Sequence, residues 1–251
     1  KPTFNVKLAE SRGEIKLAQK LRYKVFFSER IKNPILNIGN FRRDSDKFDN
    51  YADHIIVTHR KSKFSKTKVI GTYRLLKQSV AEKKSGFYSC DEFNLENLLN
   101  SRIYNNMLEL SRSCISQKFR NKNVLQLMWK EIHHYINKNN IDALFGTASF
   151  LSTNVSKIED QLIYLNHHHK MPDNITVSAL PKYRVNIDYQ KKINLNIRLF
   201  AKLPTLIKAY LKFNASIGTG AVIDNKFKTT DVFIFLPIEK INKEYVNKIL
   251  D

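Results

Sequence analysis

Cysteine is scarce in this chain. There are two in 251 residues, Cys90 and Cys114, with no CxxC or His-paired spacing. A disulfide framework is therefore excluded, a structural zinc site has no ligand set, and a reducing, cytoplasmic compartment is the expectation. No apolar run approaches the roughly 20 residues of a bilayer span, and the start of the chain shows no signal-peptide pattern. Internal repeats are missing, and no stretch rich in Gly, Pro or Ser cuts the sequence in two, so a single domain over residues 1–251 is expected. Acidic residues are few: 23 Asp+Glu stand against 43 Lys+Arg, a formal charge of +20. Such a surplus favours acidic partners, whether nucleic acid, an anionic membrane surface or an acidic protein. Part of it is compositional, because Lys, Asn and Ile are abundant throughout.

What is present is enough apolar material for a core, 42 % hydrophobic and 11 % aromatic, which sets the chain apart from disordered sequences. The stretch 107–150 organises the rest. It reads as a strand, a short basic loop (117–123), an amphipathic helix with Leu125, Met128, Ile132 and Ile136 on one face, and a second strand (143–150). A helix N-terminus after such a loop is a natural anion site. Before it, residues 4–8 suit a strand and 14–27 a helix. Residues 28–53 have no clear period and carry the charged cluster RRDSDKFDNYAD, which reads either as a mobile lid or substrate loop or as a solvated acidic loop. Residues 54–59 and 69–76 pair as a hairpin around the basic link RKSKFSKTK. After the central unit come a helix (154–168), an irregular polar stretch (171–199) with one candidate strand (183–187), a short amphipathic helix (203–213), strands 215–223 and 231–236, and a terminal helix (239–250).

Several single residues stand out. Arg22 borders the apolar face of its helix, the position of a snorkelling arginine. Arg74 lies between Tyr73 and Leu75 inside a strand, where a charge needs a partner or an opening to water. Asp44, Asp46, Asp49 and Asp53 have the chemistry to bind an amine or a cation. The run His167-His168-His169 does not converge as metal ligands do, and no metal is expected. Gly218-Thr219-Gly220 is too short for a phosphate loop and reads as a bulge or a close strand approach.

The segments KLRYKVFF (20–27), DNYADHIIV (49–57), IGTYRLL (70–76), GFYSCDEF (86–93), ELSRSC (109–114), FGTASF (145–150), 203–223 and FKTTDVFIFLP (227–237) line up, in order and spacing, with one family. In them the chain resembles the bacterial N-acyltransferases of ornithine-lipid synthesis, a branch of the GNAT-like acyltransferases. A looser resemblance, carried by Arg22, Phe26, Asp49, Asp53, Arg74, Glu109 and Arg112, is to the acyl-homoserine-lactone synthases. The C-terminal third matches the first family and not the second.

The resemblance implies an α/β (α+β) GNAT-like fold: a mixed, mostly antiparallel central sheet flanked by helices on both faces, with a family-specific part from about 200 to 251 completing the sheet. It implies an N-acyltransferase moving a (3-hydroxy)fatty acyl group from acyl carrier protein to the α-amine of ornithine, giving lyso-ornithine lipid. The enzyme alternatives are an acyl-homoserine-lactone synthase or acylation of another amino acid. The non-enzyme alternative is a basic nucleic-acid-binding protein, although no such motif is present and the aromatics are not interleaved with the basic residues as stacking platforms would be. Implied catalytic residues are Glu109, Arg112 and Ser111, with Glu109 as base or water-relayed base and backbone N–H groups within 111–116 as an oxyanion site. Arg22, Phe26, Asp49, Asp53 and Arg74 would bind substrate, the arginines taking a carboxylate and the aspartates an ammonium; the alternative is that Arg22, Arg74, Glu109 and the aspartates form a structural ion-pair network that only shapes the cleft.

Phe119, Arg120, Asn121, Lys122, Asn123 and Val124 would hold phosphopantetheine. That loop lacks the glycines of an acetyl-coenzyme A pyrophosphate cradle, which turns the expectation toward a carrier-bound thioester as co-substrate, with no tightly bound cofactor. An acidic carrier suits the charge of +20, and peripheral contact with the anionic face of the inner membrane is a second expected partner surface. Phe26, Phe27, Trp129, Phe145 and Phe150 could line an acyl tunnel, but read first as core. Strict alternation would put Glu109 and Arg112 on opposite faces of their strand, so a shared site demands an irregularity between them.

Overall fold

The computed structural model describes residues 3–29, 42–120, 122–194 and 197–250. In chain order these are β1 (Thr3–Leu8), α1 (Arg12–Tyr23), β2 (Asp53–Arg60), β3 (Lys68–Lys77), α2 (Gln78–Ala81), β4 (Phe93–Asn94), α3 (Glu96–Asn100), β5 (Met107–Ile115), α4 (Lys122–Asn139), β6 (Ala143–Phe150), α5 (Glu159–His168), β7 (Ser178–Ala179), α6 (Ile197–Lys202), α7 (Thr205–Lys212), β8 (Ser216–Ile217), β9 (Val222–Asp224), β10 (Thr229–Pro237) and α8 (Lys243–Leu250). The chain divides into two compact units, Lys1–Ser85 with Leu110–Asn140 and Ile249–Asp251, and Gly86–Glu109 with Ile141–Lys248.

The first unit is built on antiparallel pairing of β1 with β2 and of β2 with β3. The later part of β5 lies beside β3, and beyond it Ser116 N–H donates to the Ile70 carbonyl at 2.8 Å. Ile55, Ile56 and Val57 are consecutive and all 0 % exposed. A strand with no exposed face is covered on both sides, and α1 and α4 both pack against β2. Ser11 caps α1, its hydroxyl accepting from Glu14 N–H, the usual answer to a helix start's unpaired donors. The last turn of α1 widens into a π turn, Lys24–Ser28, carrying the buried Phe26 and Phe27. Gly71 explains why α4 can lie so close to β3: a Cβ there would stand 3.2 Å from Val124 Cγ1 and 3.4 Å from Met128 Sδ.

In the second unit the start of β5 pairs with β6 in parallel, from Met107↔Ala143 to Glu109↔Phe145. β6 pairs antiparallel with β10 over its whole length, and β10 in turn pairs with β8 and β9. All nine residues of β10 are buried. Phe87, Phe93, Phe145 and Phe233 form an aromatic stack, with ring centroids of neighbours 4.8–5.7 Å apart, a spacing that adds to the area they bury. Of the pairings between named strands just described, only β5 with β6 is parallel. The fold is thus mixed and mostly antiparallel with flanking helices, as expected.

Three local expectations are corrected. Residues 183–187 do not form a strand, and Arg184 makes a lone bridge to Val222. The run 215–223 is two short strands, broken where Gly220 takes φ +84° and where a Cβ on Gly218 would meet the Val177 carbonyl at 2.8 Å. The close approach read from this glycine pair is what the structure shows. At the end of the irregular stretch, and running past it, lies a helix, α6, that the sequence pattern does not show. The proposed lid falls partly on residues 30–41, outside the described residues; its far end, 47–50, is a 3-10 turn.

Candidate active site

The hydrogen-bonding demands of two buried arginines and a half-buried third shape the first unit. Arg22 is 0 % exposed, not a snorkelling side chain. Its Nε donates to Asp44 Oδ2 at 2.8 Å, Nη1 to Asp49 Oδ1 at 2.7 Å, and Nη2 to Asp49 Oδ2 at 2.8 Å and the Asp44 carbonyl at 2.6 Å. Arg74, 1 % exposed, donates from Nη1 to Asp46 and Asp49 at 2.6 and 3.1 Å, and from Nε to the Ser111 hydroxyl at 3.0 Å. Arg112 reaches Asp44 at 3.2 Å and Asp46 at 3.0 Å. Gln19 donates to Asp49 Oδ2 at 3.0 Å, and the His54 ring lies 3.9 Å from Asp49 Oδ1. Three guanidinium groups thus face three carboxylates, which is how buried charge becomes tolerable.

The electrostatics follow. Burial works to raise the Asp49 carboxyl, but the hydrogen bonds and charge of Arg22, joined by the charge of Arg74, outweigh it and hold the group far below the ordinary carboxylate range. Asp46 is lowered in the same way, burial being overcome by Arg74 and Arg112. His54 is lowered mainly by burial, with Asp49 opposing.

The strand carrying Ser111 and Arg112 is irregular at Arg112. Arg112 has φ +55°, a left-handed conformation that strains a residue with a Cβ. In a regular strand consecutive side chains point apart. Here Ser111 bonds Arg74 while Arg112 bonds Asp46, itself a partner of Arg74, so both join one network. The ion pairs hold the strained backbone in place, the usual condition for such strain to persist.

Glu109 belongs to the second unit and is 0 % exposed. Its Oε1 accepts from Ser89 N–H at 2.7 Å and Ser89 Oγ at 2.6 Å, and its Oε2 from Tyr88 N–H at 2.9 Å. The carboxylate so caps the 3-10 turn Tyr88–Asp91. Asp53 receives the Tyr135 hydroxyl at 2.5 Å, and burial together with that carboxylate pushes the phenol well above its ordinary range. Phe26 is 8 % exposed on the π turn, and Phe27, Trp129, Phe145 and Phe150 are buried as core.

In the basic loop, Phe119 packs on His59 and Phe4, with ring centroids 4.9 and 6.2 Å away. Val124 is buried under Gly71, and Asn123 is exposed. Arg120 donates from Nε to the Ile115 carbonyl at 3.0 Å and pairs with Glu29. Lys122 opens α4, while Asn121 lies outside the described residues. The loop is thus seated at both ends by apolar contacts, with cationic and amide groups between.

Gln19, His54 and Ser89 belong to these networks and were not anticipated. A buried partner of a charged group has no periodic signature, although Ser89 lies inside the GFYSCDEF segment. His167–His169 stack with one another and with Tyr164. One oxygen each from Glu92, Asp224 and Asp231 lies within 4.8 Å of the others, the acidic grouping with metal-ligand spacing among the described residues.

Residues 21–130 match the family model described as "Acetyltransferase (GNAT) domain". The chain is 39 % identical to an L-ornithine N(alpha)-acyltransferase of Brucella abortus (strain 2308), over 98 % of this chain and 88 % of that protein. It is 31 % identical to an L-ornithine N(alpha)-acyltransferase of Rhodobacter capsulatus, over 97 % and 93 %. Among solved structures, the coenzyme A-dependent acyl-homoserine lactone synthase BjaI aligns over 98 % of this chain and 90 % of its own, at 11 % identity and a TM-score of 0.48.

Proposed function

Because the chain belongs to the L-ornithine N(alpha)-acyltransferase family, we propose that it takes its acyl group from acyl carrier protein and hands it to the α-amine of L-ornithine, the first acylation of ornithine-lipid synthesis. The protein is an acyltransferase. The observation that carries the amine substrate is the end-to-end likeness to curated relatives at 31–39 % identity. A carrier-borne donor is supported by the basic loop without close-approach glycines and by the charge of +20.

In the reaction the ornithine nitrogen attacks the thioester carbonyl. A C–N bond forms, the C–S bond breaks, and the proton lost by the amine ends on the leaving thiol. Backbone N–H groups of β5 between Ser111 and Ser116 are our choice to receive the developing oxyanion. Arg120 and the N-terminus of α4 would hold the single phosphodiester of phosphopantetheine. Arg22, Arg74 and Asp49 are almost wholly buried and already paired, so their part is to position the less enclosed Asp46 and Arg112 for the substrate's ammonium and carboxylate. Glu109 already accepts three hydrogen bonds, which favours a role through a relayed water and through the turn it caps over direct proton abstraction.

The test is incubation with acyl carrier protein charged with 3-hydroxyacyl chains, with acyl-coenzyme A in parallel, and a panel of amines including ornithine and S-adenosylmethionine, read by mass spectrometry. A mono-acylated ornithine formed from the carrier thioester is the expected product. Turnover from coenzyme A alone would overturn the donor assignment, and a lactone from S-adenosylmethionine would overturn the acceptor.

A further inference from the structure

We propose that the tip of the β2–β3 hairpin is a membrane-contact element, with Phe64 entering the interfacial region of an anionic bilayer while Lys61, Lys63, Lys66 and Lys68 hold the headgroups. The biological reason rests on the function above, since an acylated amino acid must pass into a bilayer; the surface itself is read from the hairpin alone.

Phe64 is 96 % exposed, more than any other large apolar residue described; Leu151 follows at 67 %. A single exposed apolar residue is ordinary. This one differs in how it is presented and in what surrounds it. Ser65 N–H donates to the Ser62 carbonyl at 3.0 Å, Ser62 N–H to Ser65 Oγ at 2.9 Å, and Arg60 Nε to Thr67 Oγ1 at 3.1 Å. The turn is therefore built, and Phe64 stands at its apex. Lys61, Lys63, Lys66 and Lys68 are all exposed, and among the described residues none is paired with a carboxylate.

An aromatic apex ringed by long cationic side chains suits a bilayer interface. The ring enters the acyl boundary, and the lysine stems cover apolar surface while their ammonium groups stay with the phosphates. A protein partner would be met by apolar neighbours around the aromatic residue, and here the neighbours are lysine and serine. The strand ends beside the turn abut the proposed donor loop: His59 packs on Phe119, and Ser116 N–H bonds the Ile70 carbonyl. Lys118 in that loop is exposed as well, so membrane contact would leave the loop near the bilayer.

The test uses the full chain and vesicles of phosphatidylcholine with or without phosphatidylglycerol. Wild type is expected to co-sediment with the anionic vesicles, and added salt should release it. Phe64→Ser is expected to weaken that binding roughly tenfold, the scale of one aromatic ring removed from an apolar environment. Its melting temperature and its turnover without vesicles should be unchanged. Phe64→Trp should shift its emission to the blue on anionic vesicles, against a quiet background because the native Trp129 is 6 % exposed. Equal vesicle binding by wild type and Phe64→Ser, or an unshifted Phe64→Trp spectrum, would overturn the proposal. So would a raised KM for the carrier-borne donor in Phe64→Ser with vesicle binding intact, which would assign the tip to an acidic protein. If vesicle binding behaves as expected but no acyl transfer occurs, the proposed function falls and the membrane surface stands.

Discussion

A buried arginine is stable only while its carboxylates are present, and this governs what single substitutions will do. Arg22→Met would leave the buried Asp44 and Asp49 without their main partner, at a cost of about 3–5 kcal/mol; urea unfolding would measure it. Arg22→Lys should not restore that stability, because an ammonium cannot replace a fork that spans two carboxylates. The same groups set the acid response. Asp49 and Asp46 have folded pKa values below the ordinary 3.8, so their stabilisation is whole above that value and is lost as pH falls through the folded values. His54 is lowered from 6.5, so proton uptake by the unfolded chain begins to cost stability as pH falls below 6.5. Both signs agree: the urea midpoint should fall from pH 7 to pH 5, and fall again below pH 4. In His54→Gln the first drop should be smaller. Glu109→Gln tests the remaining carboxylate. If Glu109 acts in proton transfer, kcat falls and its pH profile flattens. If it only caps the turn, Ser89→Ala should reproduce the loss and the profile should keep its shape.

Between residue and molecule, the decisive element is β5 with the loop and helix that follow. Its ladder with β6 is formed over Met107–Glu109, and its left-handed residue comes at Arg112. The helix after it is seated on Gly71. Gly71→Ala would force Val124 to yield by a few tenths of an ångström, and overpacking of this kind costs about 1–3 kcal/mol. Because Val124 ends the proposed donor loop, the expected signature is a raised KM for the acyl donor, beyond the fall in melting temperature, with KM for ornithine little changed. Strand, loop and helix were legible beforehand from apolar periodicity and polar punctuation. The break in 215–223 was legible only in part: the glycine pair signalled a bulge or close approach, but not that Val177 is the neighbour that requires it. Arg22 was misplaced for a related reason: helical spacing put it at a border, and only the chain returning with Asp44 and Asp49 closed that border over it.

For the molecule as a whole, charge is the property that a partner meets first. No helix among the described residues is long and apolar enough to cross a membrane, while the formal charge is +20. Exposed charges interact over about 10 Å at 0.1 M salt. If the donor is an acidic carrier, rising ionic strength should raise its KM steeply and leave kcat and the KM of neutral ornithine analogues nearly flat. Steady-state kinetics across a salt series would show it.

The sequence by itself determined the order of the main strands and helices, the basic loop, the charge and the family, because apolar periodicity, composition and motif spacing are local properties of a chain. Tertiary structure alone decided which charges meet. Arg22, Asp44, Asp46, Asp49, Arg74 and Arg112 lie as many as 90 positions apart in sequence. They become one network only when α1, the turn at 47–50, β3 and β5 are packed together, and the left-handed backbone at Arg112 exists because that network holds it.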